Sequence, residues 1–258
     1  MKGAVPVFRR EVLSFFVSPV GYFLITGFAL LCGYFFFNML QMYNMFLQRF
    51  SGMPYPGMEL PNLNQWVVES FYHTLLVILV FLIPMLTMRS FAEEKRRGTF
   101  ELLATSPLSI FEIVLGKFLA VAFVLFLMML LGAMFPLLLV AFGKPGPELF
   151  PVLSGFLGLY LCALGFAAVG LALSAFTENQ IVAGVSSLVV LLLLYVAHSP
   201  AESVGGAVAE VMNYISPARQ AGDLFRGIIS TSTLIYFVSL ITVGLFVALR
   251  ALEAHRWR

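Results

Sequence analysis

The sequence predicts an all-α, polytopic membrane protein with six transmembrane helices, an N-terminal interfacial helix, a helix in one connection and an external helical hairpin. Three observations carry this fold class. Of the 258 residues 60% are hydrophobic, the mean hydropathy is +0.97, and only 11% are charged, where a soluble domain carries about 25%. Such composition excludes a soluble domain, a disordered tail and a polybasic binder. The net charge of +2 gives no basis for a nucleic-acid partner. The lipid bilayer is the first partner that the composition implies.

A helix crossing the hydrocarbon core needs about 20 mostly apolar residues. Six runs qualify, at 20–40, 71–88, 118–142, 151–175, 181–197 and 233–249, and none contains Asp, Glu, Lys or Arg. Lys2, Arg9 and Arg10 precede the first run, but no small-residue cleavage site follows, so it reads as a retained span and residues 1–258 as a single transmembrane domain. Eleven of the fifteen Lys and Arg residues fall in the N-terminal stretch, the second connection and the C-terminal stretch. The positive-inside rule therefore places both termini in the cytoplasm. Residues 176–180, FTENQ, are so few that spans four and five must be antiparallel neighbours.

Each element outside the spans has its own pattern. In FRREVLSFFVSP, residues 8–19, Phe8, Val12, Phe15 and Phe16 share helical spacing while Arg9, Arg10, Glu11 and Ser14 face elsewhere. That suits a helix lying in the membrane interface before the chain turns in at Pro19, and suits a simple anchor equally well. In the second connection the charge run EEKRR precedes Phe100, Leu102 and Leu103, which are separated by Glu101. Charge runs are usually solvated faces, but these three apolar groups are ones that a docking protein would cover. A further helix starts either at Ser106 with Pro107 in first position, or at the S-x-x-E capping box of Ser109 and Glu112.

The last external connection holds two weakly apolar stretches, about 201–214 and 217–229, divided by Ser216 and Pro217. Neither is long enough to span, which leaves a re-entrant hairpin or a loop resting on the membrane. Span four carries a face of small residues, Gly155, Gly158, Cys162, Gly165, Ala168, Ala172 and Ala175, that admits a close helix neighbour, expected within the same chain. Pro84 and Pro136 inside spans are candidate kinks.

Absent motifs narrow the function. With no ionisable group in any span, an ion-coupled transporter or proton relay loses its chemistry. His73, His198 and His255 are far apart, and Cys32 and Cys162 lie in apolar runs, so no metal site or disulfide is expected. No G-x-S-x-G elbow and no G-x-x-x-x-G-K-[ST] phosphate loop is present, so the chain has no nucleophile elbow and cannot hydrolyse ATP in that way. No catalytic, cofactor-binding or metal residue is expected.

The stretch 93–117, EEKRRGTFELLATSPLSIFEIVLGK, resembles the segment between spans two and three of ABC-2 type export permeases, with R-G-T-x-E-L-L, then S-P and a G-K leading into span three. The segment ISPARQAGDLFRGIIS and the C-terminal LRALEAHRW resemble in particular the branch associated with gliding motility. This likeness implies a permease of the bacterial inner membrane that pairs with a second copy or a related permease. A separate ATP-binding cassette subunit would hold ATP and Mg, and an external accessory subunit could join it. Glu94, Arg97, Gly98, Thr99, Phe100, Glu101, Leu102 and Leu103 would form the ATPase-coupling element, with the Arg9, Arg10 and Glu11 helix beside it. The external hairpin, with Ser216, Pro217 and Arg226, would narrow the exit. The alternative is a membrane scaffold of an envelope complex with no transport of its own.

Overall fold

A computed structural model describes residues 3–50, 62–99, 108–144, 146–199 and 206–256. Among these residues the chain is helical and holds no strand. In order the helices are α1 (Ala4–Val17), α2 (Pro19–Phe50), α3 (Ser70–Thr87), α4 (Ala92–Arg96), α5 (Ile110–Phe142), α6 (Leu149–Phe176), α7 (Gln180–Val196), α8 (Gly206–Ile215), α9 (Pro217–Phe225) and α10 (Thr231–Arg256). A π-helical stretch, Asn64–Glu69, leads directly into α3.

Among the described residues five helices are long and apolar enough to cross a membrane: Pro19–Arg49, Asn64–Arg96, Ile110–Phe142, Leu149–Phe176 and Thr231–Ala254. The sixth expected span, at 181–197, is the shorter apolar α7, Gln180–Val196. Helices overrun the predicted spans because hydropathy marks where side chains dislike water, whereas hydrogen bonding continues through polar turns. Thus α2 continues ten residues past position 40, and α10 runs on through its charged last turns.

The bundle is organised around α6. Its seven small residues are all buried, and four of them meet side chains or backbone of α3, α9 and α10. Tyr72 of α3 lies against Gly155, Leu224 of α9 against Gly158, Leu240 of α10 against Gly165, and Gly244 of α10 against Ala168. The absence of side chains on α6 lets backbones approach closely, so association is driven by packing where lipid supplies no hydrophobic force. Pro84 and Pro136 are buried within continuous helices α3 and α5.

The two ends of this bundle are polar. At the α9 end the buried Tyr72 hydroxyl donates to the Val152 carbonyl at 2.7 Å, and the Tyr236 hydroxyl donates to that of Ile215 at 2.6 Å. Tyr72→Phe should cost about 0.5–1.5 kcal/mol, the net worth of one such bond. Equilibrium unfolding in mixed detergent micelles checks this.

Candidate functional site

The α4 end gathers the charges. α1 ends at Val17 because Ser18 is extended ahead of Pro19, where proline disfavours the helical conformation of its predecessor. The turn folds α1 back along α5, where Gly116 lets the Ala4 carbonyl and Val7 side chain come close. Ala4, Val7 and Glu11, at helical spacing, therefore face α5. The sequence pattern set Glu11 off the Phe8, Val12, Phe15 and Phe16 stripe, with Arg9, Arg10 and Ser14, and did not say what it would face. Arg9 itself is exposed and has no ion pair among the described residues.

Glu11 turns inward to meet Lys117, the charge at the centre of the site. The Lys117 side chain is 2% exposed, and its Nζ lies 2.9 Å from Glu11 Oε1 and 2.9 Å from Glu94 Oε1. Arg10 Nη2 closes the ring at 2.8 Å to Glu11 and 2.6 Å to Glu94. Two cations and two carboxylates thus tie α1, α4 and α5 into one neutral quartet. The ammonium also stands 5.3 Å from the centre of the Phe91 ring, a cation–π contact. Glu94 Oε2 is buried without a hydrogen-bond partner.

Sequence reasoning missed Lys117 as a site residue. It was counted among the charges of the second connection, one residue short of the span predicted at 118. The structure starts α5 at Ile110, with Ser109 as its N-cap: the Ser109 hydroxyl accepts from the Glu112 N–H at 3.2 Å. Of the two helix starts open in the sequence, the capping box is the one that begins α5, which puts Lys117 two turns inside the helix. The G-K pair of the family pattern was the signal.

Burial acts on the charges of this ring as well. For Glu11, burial alone would raise the carboxyl, but the charge of Lys117, with hydrogen bonds from Arg10 and Lys117, outweighs it and holds Glu11 below its ordinary value. A lowered folded-state value means that Glu11 stabilises the fold above its unfolded-state value, and that this contribution disappears as the pH falls through the folded-state value. Melting temperature measured from pH 7 down to pH 3 should therefore fall more steeply, below the ordinary value of 4.5, for the parent than for Glu11→Gln.

α4 is fastened to α6 as well. The Ser174 hydroxyl accepts from the Phe91 and Ala92 N–H groups, both at 3.2 Å, and donates to the Met88 carbonyl at 3.1 Å. Lys95 Nζ donates to the Ala175 carbonyl at 2.5 Å, satisfying the C-terminal turn of α6. Arg97 pairs with Glu93 at 2.5 Å. Gly98, at φ +68°, takes the left-handed position that stops α4, a conformation glycine adopts without penalty. The Thr99 hydroxyl donates to the Glu94 carbonyl at 3.3 Å. Of the expected coupling element, Glu94, Arg97, Gly98 and Thr99 are therefore together. Phe100, Glu101, Leu102 and Leu103, like Ser106 and Pro107, lie outside the described residues.

Below the quartet a cleft of about 440 Å³ opens between α1, α2, α3 and α5. The expected hairpin residues are at the opposite end of the bundle. Ser216 stands at the N-cap of α9 with Pro217 in the first turn, but its buried hydroxyl does not cap; it lies 3.2 Å from His198 Nδ1. Arg226 Nε is 2.7 Å from Glu69 Oε1, fixing the end of α9 to the π-helical stretch. A smaller cavity of about 110 Å³ lies beside this pair, lined by Asn62, Asn64, Glu69, Glu148 and Arg226. Among the described residues no group of three or more His, Cys, Asp or Glu side chains could hold a metal ion.

A core helix wrapped by apolar spans, with charge confined to the ends, defines a multi-pass membrane protein. Residues 38–252 match the family described as ABC-2 family transporter protein, and the chain belongs to that family. It is thus a transporter permease, the transmembrane component of a system and not itself the ATPase, and permeases of this family generally work with an ATP-binding cassette subunit. No curated protein matches the chain.

Proposed function

We propose that this chain is the membrane permease of an ATP-driven exporter in the bacterial inner membrane, with the α4 end and both termini in the cytoplasm. The excess of Lys and Arg in the connections at that end supports the orientation. α7, at 17 residues, acts as the sixth span, which is the lower bound of the spanning range of about 17 to 25. A second copy or a related permease completes the path. α8 and α9 form a re-entrant hairpin at the external exit, where an accessory subunit would join. The C-terminal resemblance supports placing the chain in the gliding-motility-associated branch.

The observation that carries this reading is the charge quartet. α4 is too short to act alone, but Glu94 links it to α1 through Arg10 and to α5 through Lys117. A push delivered by an ATP-binding partner to Arg97, Gly98, Thr99 and the residues through Leu103 would move α1, α4 and α5 as one body. ATP-driven closure of the partner would thereby rock the spans. ATP and Mg remain on that partner, and this chain supplies only the lever.

The test is purification of the tagged chain from its native membrane with its partner, followed by ATPase assay in vesicles. A stoichiometric protein carrying a G-x-x-x-x-G-K-[ST] loop is expected. Glu101→Arg combined with Leu102→Asp should abolish permease-stimulated ATPase activity at unchanged membrane insertion. Recovery of the chain without a nucleotide-binding protein would shift the reading to an envelope scaffold; full stimulation of the double variant would remove residues 97–103 from the coupling role.

A further inference from the structure

The cleft beneath the quartet is built entirely from residues of this chain. Its volume of about 440 Å³ falls in the range of small-molecule sites, about 300–1,000 Å³. Its lining changes character with depth. Leu24, Leu86, Val121 and Val124 come from the apolar bodies of α2, α3 and α5, whereas Arg89 and Arg97 lie just beyond the ends of α3 and α4, and Arg10 comes from α1, which is not one of the spanning helices. The cleft is therefore apolar toward the bilayer centre and charged toward the headgroup layer.

The charge at its mouth is cationic in effect. Among the described residues seven charged side chains line it, Arg10, Arg89, Arg97 and Lys117 against Glu11, Glu93 and Glu94. The three carboxylates are the recessed members, with side-chain exposures of 25%, 29% and 16%, against 50%, 47% and 70% for the three guanidinium groups. Glu11 and Glu94 are occupied by Lys117 and Arg10, and Glu93 by Arg97. Arg89 is left over. Among the described residues no hydrogen bond from its side chain is present, and its one ionic contact, Nε to Glu93, is 3.9 Å long. A guanidinium offers five N–H donors in a fork suited to phosphate.

We propose that this cleft is a binding site for an anionic phospholipid, with the Arg89 guanidinium donating to the headgroup phosphate and the acyl chains entering along Leu24, Leu86 and Val121. Both halves of the ligand find their counterpart at the depth a bilayer would impose. The site needs only the membrane, so it stands or falls separately from the ATPase reading.

Native mass spectrometry of the delipidated full chain in detergent tests it, with phosphatidylglycerol and phosphatidylcholine as paired probes. One retained phosphatidylglycerol is expected, favoured over phosphatidylcholine. Arg89→Glu should lower its retention about thirtyfold, since each basic group near an anionic lipid contributes about 1 kcal/mol, the reversal changes the charge by two units, and every ~1.4 kcal/mol is tenfold. Val121→Trp, which fills the apolar floor without touching the charges, should lower it similarly. Thermal unfolding of each variant establishes that it is folded, and Arg250→Glu, at a residue that does not line the cleft, controls for net charge. Equal retention of both lipids would overturn the site, as would phosphatidylglycerol binding undiminished in Arg89→Glu and Val121→Trp. Displacement by excess glycerol phosphate would also overturn it, because the anchor would then be a soluble anion.

Discussion

Replacing Lys117 by methionine should produce the largest loss of stability of any single change at the α4 end. The side chain is 2% exposed and is shared by Glu11 and Glu94 at 2.9 Å each. Removing one partner of a buried ion pair typically costs about 3–5 kcal/mol, because the remaining charge is stranded out of water. Arg10 still reaches both carboxylates, which places the expected cost toward the lower end. Equilibrium unfolding in mixed micelles would measure it. Adding Glu11→Gln and Glu94→Gln to Lys117→Met should restore most of the loss, since no buried carboxylate is then unpaired and Arg10, half-exposed, is readily hydrated. The triple variant should remain deficient in ATPase stimulation, having lost the link between α4 and α5. A Lys117→Met protein as stable as the parent would show that the quartet is not a buried ionic cluster.

Gly244→Val is the second large effect. A Cβ on Gly244 would lie 2.8 Å from Ala168 Cβ, 2.9 Å from its carbonyl carbon and 3.1 Å from its carbonyl oxygen. These are atoms of the α6 backbone and its shortest side chain, with no flexible group to swing aside, so the two helices must separate. Overpacking of this kind costs about 1–3 kcal/mol, and the tight helix contact pushes the expectation to the upper end. Gly27→Ala in α2 is the matched control, since nothing lies within 4 Å of the added atom. It should be neutral or stabilising by up to about 1 kcal/mol from helix propensity. If both substitutions behave alike, α6 and α10 are not in close backbone contact at Gly244.

The fold was legible where a single physical preference dominates. Apolar runs of spanning length became helices, and Ser18–Pro19 broke α1 from α2. The small-residue face of α6 found its neighbours within the chain, because close packing needs only the absence of side chains. The site was legible in composition but not in geometry. The pattern around Arg97, Gly98 and Thr99 marked a coupling segment by resemblance, yet nothing local said that Glu94 would meet residues 10 and 117. That pairing depends on α1 folding back over Gly116, a long-range fact that periodicity does not encode. The helical pattern set Glu11 off the apolar stripe but could not say that it would turn to a second buried charge, since a buried charge is stable only where another lies opposite. Ser216 precedes Pro217 as a capping residue would, yet its hydroxyl is engaged with His198 instead.

The order of the quartet along the chain bears on how the protein is made. Arg10, Glu11 and Glu94 all precede Lys117 in the sequence, and synthesis proceeds from the N-terminus. When the ribosome releases the segment carrying Lys117, the carboxylates that will neutralise it have already left the exit tunnel. The lysine can therefore be handed into the bilayer edge as half of a pair and never as a lone cation. A circular permutant that emits α1 last would present Lys117 to the insertion machinery with only Glu94 available. Such a chain should insert poorly even though its finished contacts are the same.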